Sequence, residues 1–243
     1  MPFFYYYDWT YLVLVLPALI FSLWASSRVN STFRKYSQMR TYRGMTGADA
    51  ARAVLTANGI SGVRIEHVSG NLTDHYDPKS NVIRLSDDVY AASTPAAIGV
   101  AAHEAGHAVQ YAQDYGPIKF RAAIVKATNI GSKLSMPLIL IGILCMALPM
   151  FAALSDFFYY VAVFGVLCFG MCVLFQLVTL PTEYNASRRA LKAIEGSYLL
   201  TPEEQKGAKK VLSAAALTYV AALAVSLTQF LRLLMIVGRR RRD

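Results

Sequence analysis

Two histidines four residues apart, His103 and His107 of HEAGH, bracket a glutamate in an otherwise apolar stretch. On an α-helix such residues share a face, so both imidazoles can point at one cation. Zinc accepts neutral imidazole nitrogens at about 2.0 to 2.1 Å, and a catalytic zinc keeps three protein ligands and one open position for water. Glu104 is turned about 100° from His103 and reaches that water rather than the metal. A carboxylate there takes the proton as the water attacks a carbonyl and returns it to the leaving amine. Bound zinc lowers the water's pKa toward about 7 and polarises the carbonyl. The chemistry is hydrolysis of a peptide bond by a metal-activated water, with Glu104 as general base and Zn2+ as cofactor. The plain alternative is a satisfied polar patch on a core helix. Two of only four histidines in the chain stand at ligand spacing, which argues against it.

Two histidines leave one protein ligand to find. His67 and His75 lie upstream, and Glu183 lies downstream in LPTEYNASRRA. An acidic residue bordering an apolar block demands a partner. A glutamate at the start of a second helix would complete a His2Glu set, so Glu183 is favoured over His75. The competing roles for Glu183 are a helix-start carboxylate stabilised by the macrodipole, or a salt bridge to Arg188 or Arg189. In DHYDP, His75 or Tyr76 is placed to donate to a developing oxyanion. The same residues read equally well as a polar turn in which Asp77-Pro78 initiates a strand. Arg188 and Arg189 are further donor candidates, although arginines beside an apolar span more often face lipid.

These residues need elements to hold them. Thr94 and Pro95 cap and open a helix running through Ala112, which carries the motif; Gly106 within it leaves room for another element to pass closely. Thr46 to Gly59 predicts a shorter helix, with Thr46 as N-cap and Gly59 as C-cap. Val63–Val68 and Asn81–Ser86 alternate like half-buried strands around the turn-rich SGNLTDHYDPKS. TEYNASRRALKAIE has helical spacing and ends near Gly196, and Thr201-Pro202-Glu203-Glu204 reads as the cap and first turn of another helix.

The remainder is membrane. The chain is 55% hydrophobic and 16% charged over 243 residues, and the apolar residues come in blocks. Trp9–Ala25, Met136–Leu154 and Phe157–Leu180 each approach the roughly 20 apolar residues a bilayer span requires. Val211–Val237 is a fourth candidate, but it is richer in small polar residues and carries Arg232. MPFFYYYD lacks the basic n-region of a signal peptide, so the first block reads as an uncleaved anchor with Tyr5, Tyr6, Tyr7 and Trp9 as an interfacial belt. The net charge of +9 sits beside the apolar blocks, at Arg28 to Arg43, Arg188 to Lys192 and Arg239 to Arg242. That placement fits the positive-inside rule and anionic lipid, and no nucleic-acid partner is expected. Cys145, Cys168 and Cys172 all lie in apolar blocks and imply no disulfide framework.

TDHYDP, RLS, VAAHEAGHAVQ and PTEYNASRRAL, taken together, resemble the bacterial membrane-bound neutral zinc metallopeptidase family, itself similar to membrane zinc proteases of the CaaX-prenyl and heat-shock type. The resemblance covers nearly the whole chain. It implies zinc ligands at His103, His107 and Glu183, a catalytic acid/base at Glu104, and a multi-pass protein of the bacterial cytoplasmic membrane. One departure stands out: CaaX-type proteases place Asp four residues after the third-ligand Glu, where this chain has Ser187. Asn185 stands where Asp is expected in closer relatives.

The sequence therefore predicts a mainly α, polytopic membrane protein, with transmembrane helices, a zincin-like active-site helix and a small β-sheet or hairpin. Its expected divisions are an anchor (1–26), a metallopeptidase region (27–134), a transmembrane hairpin (135–180), a third-ligand helix (181–210) and a C-terminal membrane or interfacial helix with a basic tail (211–243). Expected partners are the bilayer and peptide or membrane-protein substrates. The basic flanks place 27–134 and 181–210 together on the cytoplasmic side. A fourth crossing would then export Arg239 to Arg242, so either the last helix does not cross, which is the preferred reading, or the orientation is inverted. A metal-binding membrane scaffold or chaperone without turnover is the alternative function.

Overall fold

The computed structural model describes residues 9–239; the expected belt at Tyr5 to Tyr7 and the tail from Arg240 to Arg242 lie outside the described residues. The chain divides into two compact units, each discontinuous in sequence. One comprises Ala25–Lys119 and Leu180–Tyr219. The other comprises the residues up to Trp24, Phe120–Thr179, and those from Val220 on.

In the first unit, helix α1 (Leu16–Ser37) contributes its C-terminal part, followed by α2 (Gly47–Ala57). Thr46 and Asp49 close a reciprocal capping box at the start of α2, and Gly59 takes the left-handed conformation just past its end. Ala48, Ala51, Val54 and Leu55 recur at helical spacing and are buried. Strands β1 (Arg64–His67), β2 (His75–Asp77) and β3 (Val82–Leu85) form a sheet of order β1-β3-β2. β1 pairs parallel with β3, and β2 pairs antiparallel with it. Both predicted strands are present. The segment between them, read partly as turn, supplies β2 as an edge strand, because His75, Tyr76 and Asp77 find register against Arg84, Ile83 and Val82.

After the short α3 (Asp87–Tyr90) comes α4 (Pro95–Ala112), which carries the motif. Thr94 Oγ1 accepts from the Ala97 amide at 3.2 Å, and Pro95 occupies the first turn, where its missing N–H costs nothing. Ala97, Ala101, Ala102, Ala105 and Ala108 are buried against α2, the sheet and the C-terminal half of α6 (Ser155–Gly196) in one apolar core. Helix α7 (Pro202–Arg239) opens with Thr201 as cap. Glu204 accepts from the Thr201 amide at 2.8 Å through one oxygen and from the Tyr42 amide at 2.7 Å through the other.

The second unit is built from apolar helix segments. A π-helical turn, Tyr11–Val15, leads into α1; α5 (Gly116–Ala147) passes through Pro137; a 3₁₀ segment, Pro149–Leu154, turns the chain into α6. The second apolar block was expected to run helically to Leu154, but its α-helix stops at Ala147, before Pro149, whose absent N–H breaks the ladder. α5 and α6 approach closely at small residues. A Cβ on Gly142 would stand 2.6 Å from the Phe158 carbonyl oxygen, and one on Gly165 would stand 2.9 Å from the Ser135 carbonyl oxygen. Ile139, Ala162, Val166, Leu233 and Val237 form the interior of this unit, while Leu140, Ile141, Leu144, Phe164, Leu167, Leu231 and Leu234 stay exposed, as a lipid-facing surface requires.

Four helical stretches are long and apolar enough to cross a bilayer: Tyr11–Ser37, Gly116–Ala147, Pro149–Gly196 and Pro202–Arg239. The fourth is the last helix, which thus has the length and apolarity of a span. Arg232, the one charge within that apolar stretch, lies over the Tyr11 ring at 5.3 Å from its centroid, an arrangement that lowers the cost of a charge in an apolar setting. The architecture is that of a mainly helical, polytopic membrane protein with one small sheet.

Candidate metal centre

His103 and His107 stand one turn apart on α4, with ring centroids 4.7 Å apart and planes nearly perpendicular. Glu183 comes from α6. His103 Nε2 is 3.1 Å and His107 Nε2 3.3 Å from the same Glu183 Oε2. Glu183 is 2% exposed.

The crossing of α4 and α6 depends on Gly106 and Ala186. A Cβ on Gly106 would stand 2.6 Å from the Ala186 carbonyl oxygen, so only glycine lets the two backbones meet this closely. Glu183 is not at a helix start, as its surroundings in the sequence suggested. α6 continues unbroken through Pro181, so a helix-start macrodipole role does not account for this carboxylate. Arg189 bonds Asn185 and Gln113, and Arg188 lines a cavity of about 350 Å³ beside Tyr184 and Ser187.

The donor set fits zinc. Two ligands at about 2.05 Å from a tetrahedral ion lie about 3.3 Å from each other, which is the spacing of Glu183 Oε2 from both imidazoles. One ligand atom from each of the three residues lies within 4.8 Å of the others. Electrostatics agree: burial favours the neutral form of His107, but its hydrogen bond to Glu183 and the charges of Glu104 and Glu183 outweigh this and hold its pKa above the usual histidine value. A cluster with two carboxylates near two imidazoles suits a cation.

The outer nitrogens of the rings are also engaged. His103 Nδ1 meets Ser187 Oγ at 3.1 Å, and His107 Nδ1 meets Gln110 Oε1 at 3.0 Å. Gln110, wholly buried, escaped sequence reasoning; an amide three residues past the second histidine, between Val109 and Tyr111 on an alanine-rich helix, was the available signal. Glu104 is partly buried, and none of the described hydrogen bonds takes up its carboxylate. His75 and Tyr76 are not drawn into the cluster: His75 Nδ1 bonds the Thr73 carbonyl, and the Tyr76 hydroxyl donates to Asn81 at 2.8 Å while its ring meets Tyr111.

A helical membrane protein that gathers two histidines of an HExxH helix and a distant glutamate belongs among candidate membrane metallopeptidases. Residues 11–238 match the family described as "Putative neutral zinc metallopeptidase", and the chain belongs to that family. Zinc is the metal this membership implies. The chain is 43% identical over 226 residues to a Bacillus subtilis (strain 168) protein named "Putative membrane protease YugP", covering 93% of this chain and 96% of that one. No solved structure matches it.

Proposed function

We propose that this chain is a zinc endopeptidase of the bacterial cytoplasmic membrane, with its site facing the cytoplasm. The observation that carries the reading is the convergence of His103 and His107 Nε2 on one Glu183 oxygen at 3.1 and 3.3 Å. These three side chains would hold the zinc, which when bound supplies Lewis-acid polarisation of a substrate carbonyl and an acidified water. Glu104 accepts the water's proton and delivers it to the amine nitrogen as the peptide bond breaks. No described side chain holds its carboxylate, so it is free to do so. His75, Tyr76 and Arg188 are the candidates for contacts to substrate or to a developing oxyanion.

The substrate is an extended peptide. β2 lies at the sheet edge and packs against α4, so its outer backbone groups can pair with a substrate strand next to the motif helix. The polar stretches 27–134 and 181–210 act as one catalytic region. Their lysines and arginines far outnumber those of the C-terminal tail, which favours the cytoplasm for them even if α7 crosses.

The test is zinc content and peptide cleavage measured on the same detergent-purified samples. About one zinc per chain that is lost in Glu183→Ala, kept in Glu104→Gln, and accompanied by casein cleavage only in the wild type would support the reading. Zinc fully retained in Glu183→Ala would overturn the ligand set. Zinc without any wild-type cleavage would favour the scaffold.

A further inference from the structure

Resting on the ligand set just proposed, we infer that Gln110 is a positioning residue that dictates the tautomer of His107, and that Thr182, Asn185 and Arg189 dictate the orientation of Gln110. A neutral imidazole carries its proton on either ring nitrogen, and only a bare Nε2 can enter the metal site. The side-chain amide of Gln110 is equally ambiguous in isolation, because its oxygen and nitrogen are nearly isosteric. What surrounds it removes the ambiguity.

The Gln110 nitrogen lies 2.8 Å from the Thr182 carbonyl oxygen, a group that only accepts, so the NH2 end of the amide must face α6. It also lies 3.0 Å from Asn185 Oδ1. That atom is an oxygen because Arg189 Nε, which only donates, stands 2.7 Å from it. Arg189 is in turn held by Gln113, the residue that caps the C-terminus of the helix carrying the histidines. With both Gln110 N–H groups committed to α6, its Oε1 is left facing His107 Nδ1 at 3.0 Å and can only accept. Neutral His107 is therefore directed to carry its proton on Nδ1, which leaves Nε2 bare for a cation shared with Glu183. His103 has no such instruction: its Nδ1 faces Ser187 Oγ, and a hydroxyl donates or accepts as needed.

Gln110 is 0% exposed, so its amide depends on Thr182, Asn185 and His107 for its hydrogen bonds. The arrangement also gives a role to Asn185, where closer relatives are expected to carry Asp. Either residue offers Gln110 and Arg189 an acceptor oxygen, so the instruction survives the exchange.

The experiment is zinc affinity by competition with a chromophoric chelator on full-length protein in detergent, for wild type, Gln110→Leu, Asn185→Leu and Asn185→Asp. Absorption spectra of the cobalt(II)-loaded proteins, read in parallel, report ligand geometry independently of turnover. We expect Gln110→Leu to bind zinc about 10 to 100-fold more weakly with an altered cobalt spectrum, Asn185→Leu to shift both in the same direction by less, and Asn185→Asp to restore wild-type values. Gln110 is buried, so if Gln110→Leu does not fold, the two Asn185 variants decide between the outcomes. Wild-type affinity and spectrum in Gln110→Leu would overturn the inference while leaving the ligand set intact, as would Asn185→Asp behaving like Asn185→Leu. No zinc binding by the wild type would overturn both.

Discussion

Gly106→Ala tests the geometry of the site most sharply, because it adds one methyl group and touches no ligand. The new Cβ would stand 2.6 Å from the Ala186 carbonyl oxygen, whereas ordinary contact begins at 3.4 Å, so α4 and α6 must separate locally by about 0.8 Å. Both partners lie on helices that are buried at the contact, and the atom struck is backbone, so no side chain can turn away. Overpacking of this kind costs about 1 to 3 kcal/mol of stability. The larger effect falls on the metal. Glu183 lies one turn before Ala186, and zinc sites tolerate about 0.2 Å of error in ligand distance; a displacement of about 1 Å can cost around 100-fold in rate. Zinc affinity and casein cleavage should both fall by about that factor, in protein that still shows wild-type helicity by circular dichroism. Gly106→Ala with undiminished affinity and cleavage would refute the claim that the α4–α6 crossing sets the ligand triangle.

Other expectations follow from the same coordinates. Glu104→Gln should lower kcat by about 100 to 10,000-fold with zinc content unchanged; parallel loss of zinc would show that Glu104 holds metal. His107 retains its proton above its ordinary value of 6.5, which gives opposite pH trends with and without metal. Chelated protein should be more stable below about pH 6.5 and lose that increment as pH rises through the elevated value, whereas zinc, which needs the neutral ring, should bind more tightly over the same rise. Melting curves with and without chelator from pH 5 to 9 would show the crossing trends; parallel curves would contradict them. Asp77 is held down to about 2 by the Ser80 hydroxyl and the Lys79 amide. Its stabilisation of the β2–β3 turn should therefore be present above the ordinary 3.8 and fade as pH falls toward 2. Hydrogen exchange in β3 should show that acid loss in wild type and not in Asp77→Asn. Thr94→Ala should cost about 1 kcal/mol and raise exchange at the Ala97 amide first.

Local signals made much of this structure legible. Thr46, Thr94 and Thr201 announced their helices because an N-cap is a property of three or four consecutive residues. HEAGH and the close passage at Gly106 followed from helical geometry alone. Glu183 was reachable because a carboxylate beside an apolar block needs explaining. Its position inside α6 was not, since Pro181 ordinarily marks a boundary and only the packed surroundings carry the helix through it. β2 was obscured because three residues with turn-formers on both sides become a strand only through pairing with β3. The Gln110 network was hidden for a related reason: its partners are 72 and 75 positions away, and no local pattern records such a meeting.

The discontinuity of the metal-bearing unit has a consequence for modularity. Its two stretches, Ala25–Lys119 and Leu180–Tyr219, share one apolar core, and the Glu204 carboxylate ties Tyr42 to the start of α7 across 162 positions. A fragment ending before α6 would carry both histidines and Glu104 but lack the third ligand, the oxygen that orients Gln110, and Ala190, Ile194 and Leu212 from the core. The candidate metal centre thus does not lie within any one contiguous stretch of the chain. Phe120–Thr179 interrupts its sequence like an insert in a split gene, and both flanking stretches must be translated before His103, His107 and Glu183 can meet.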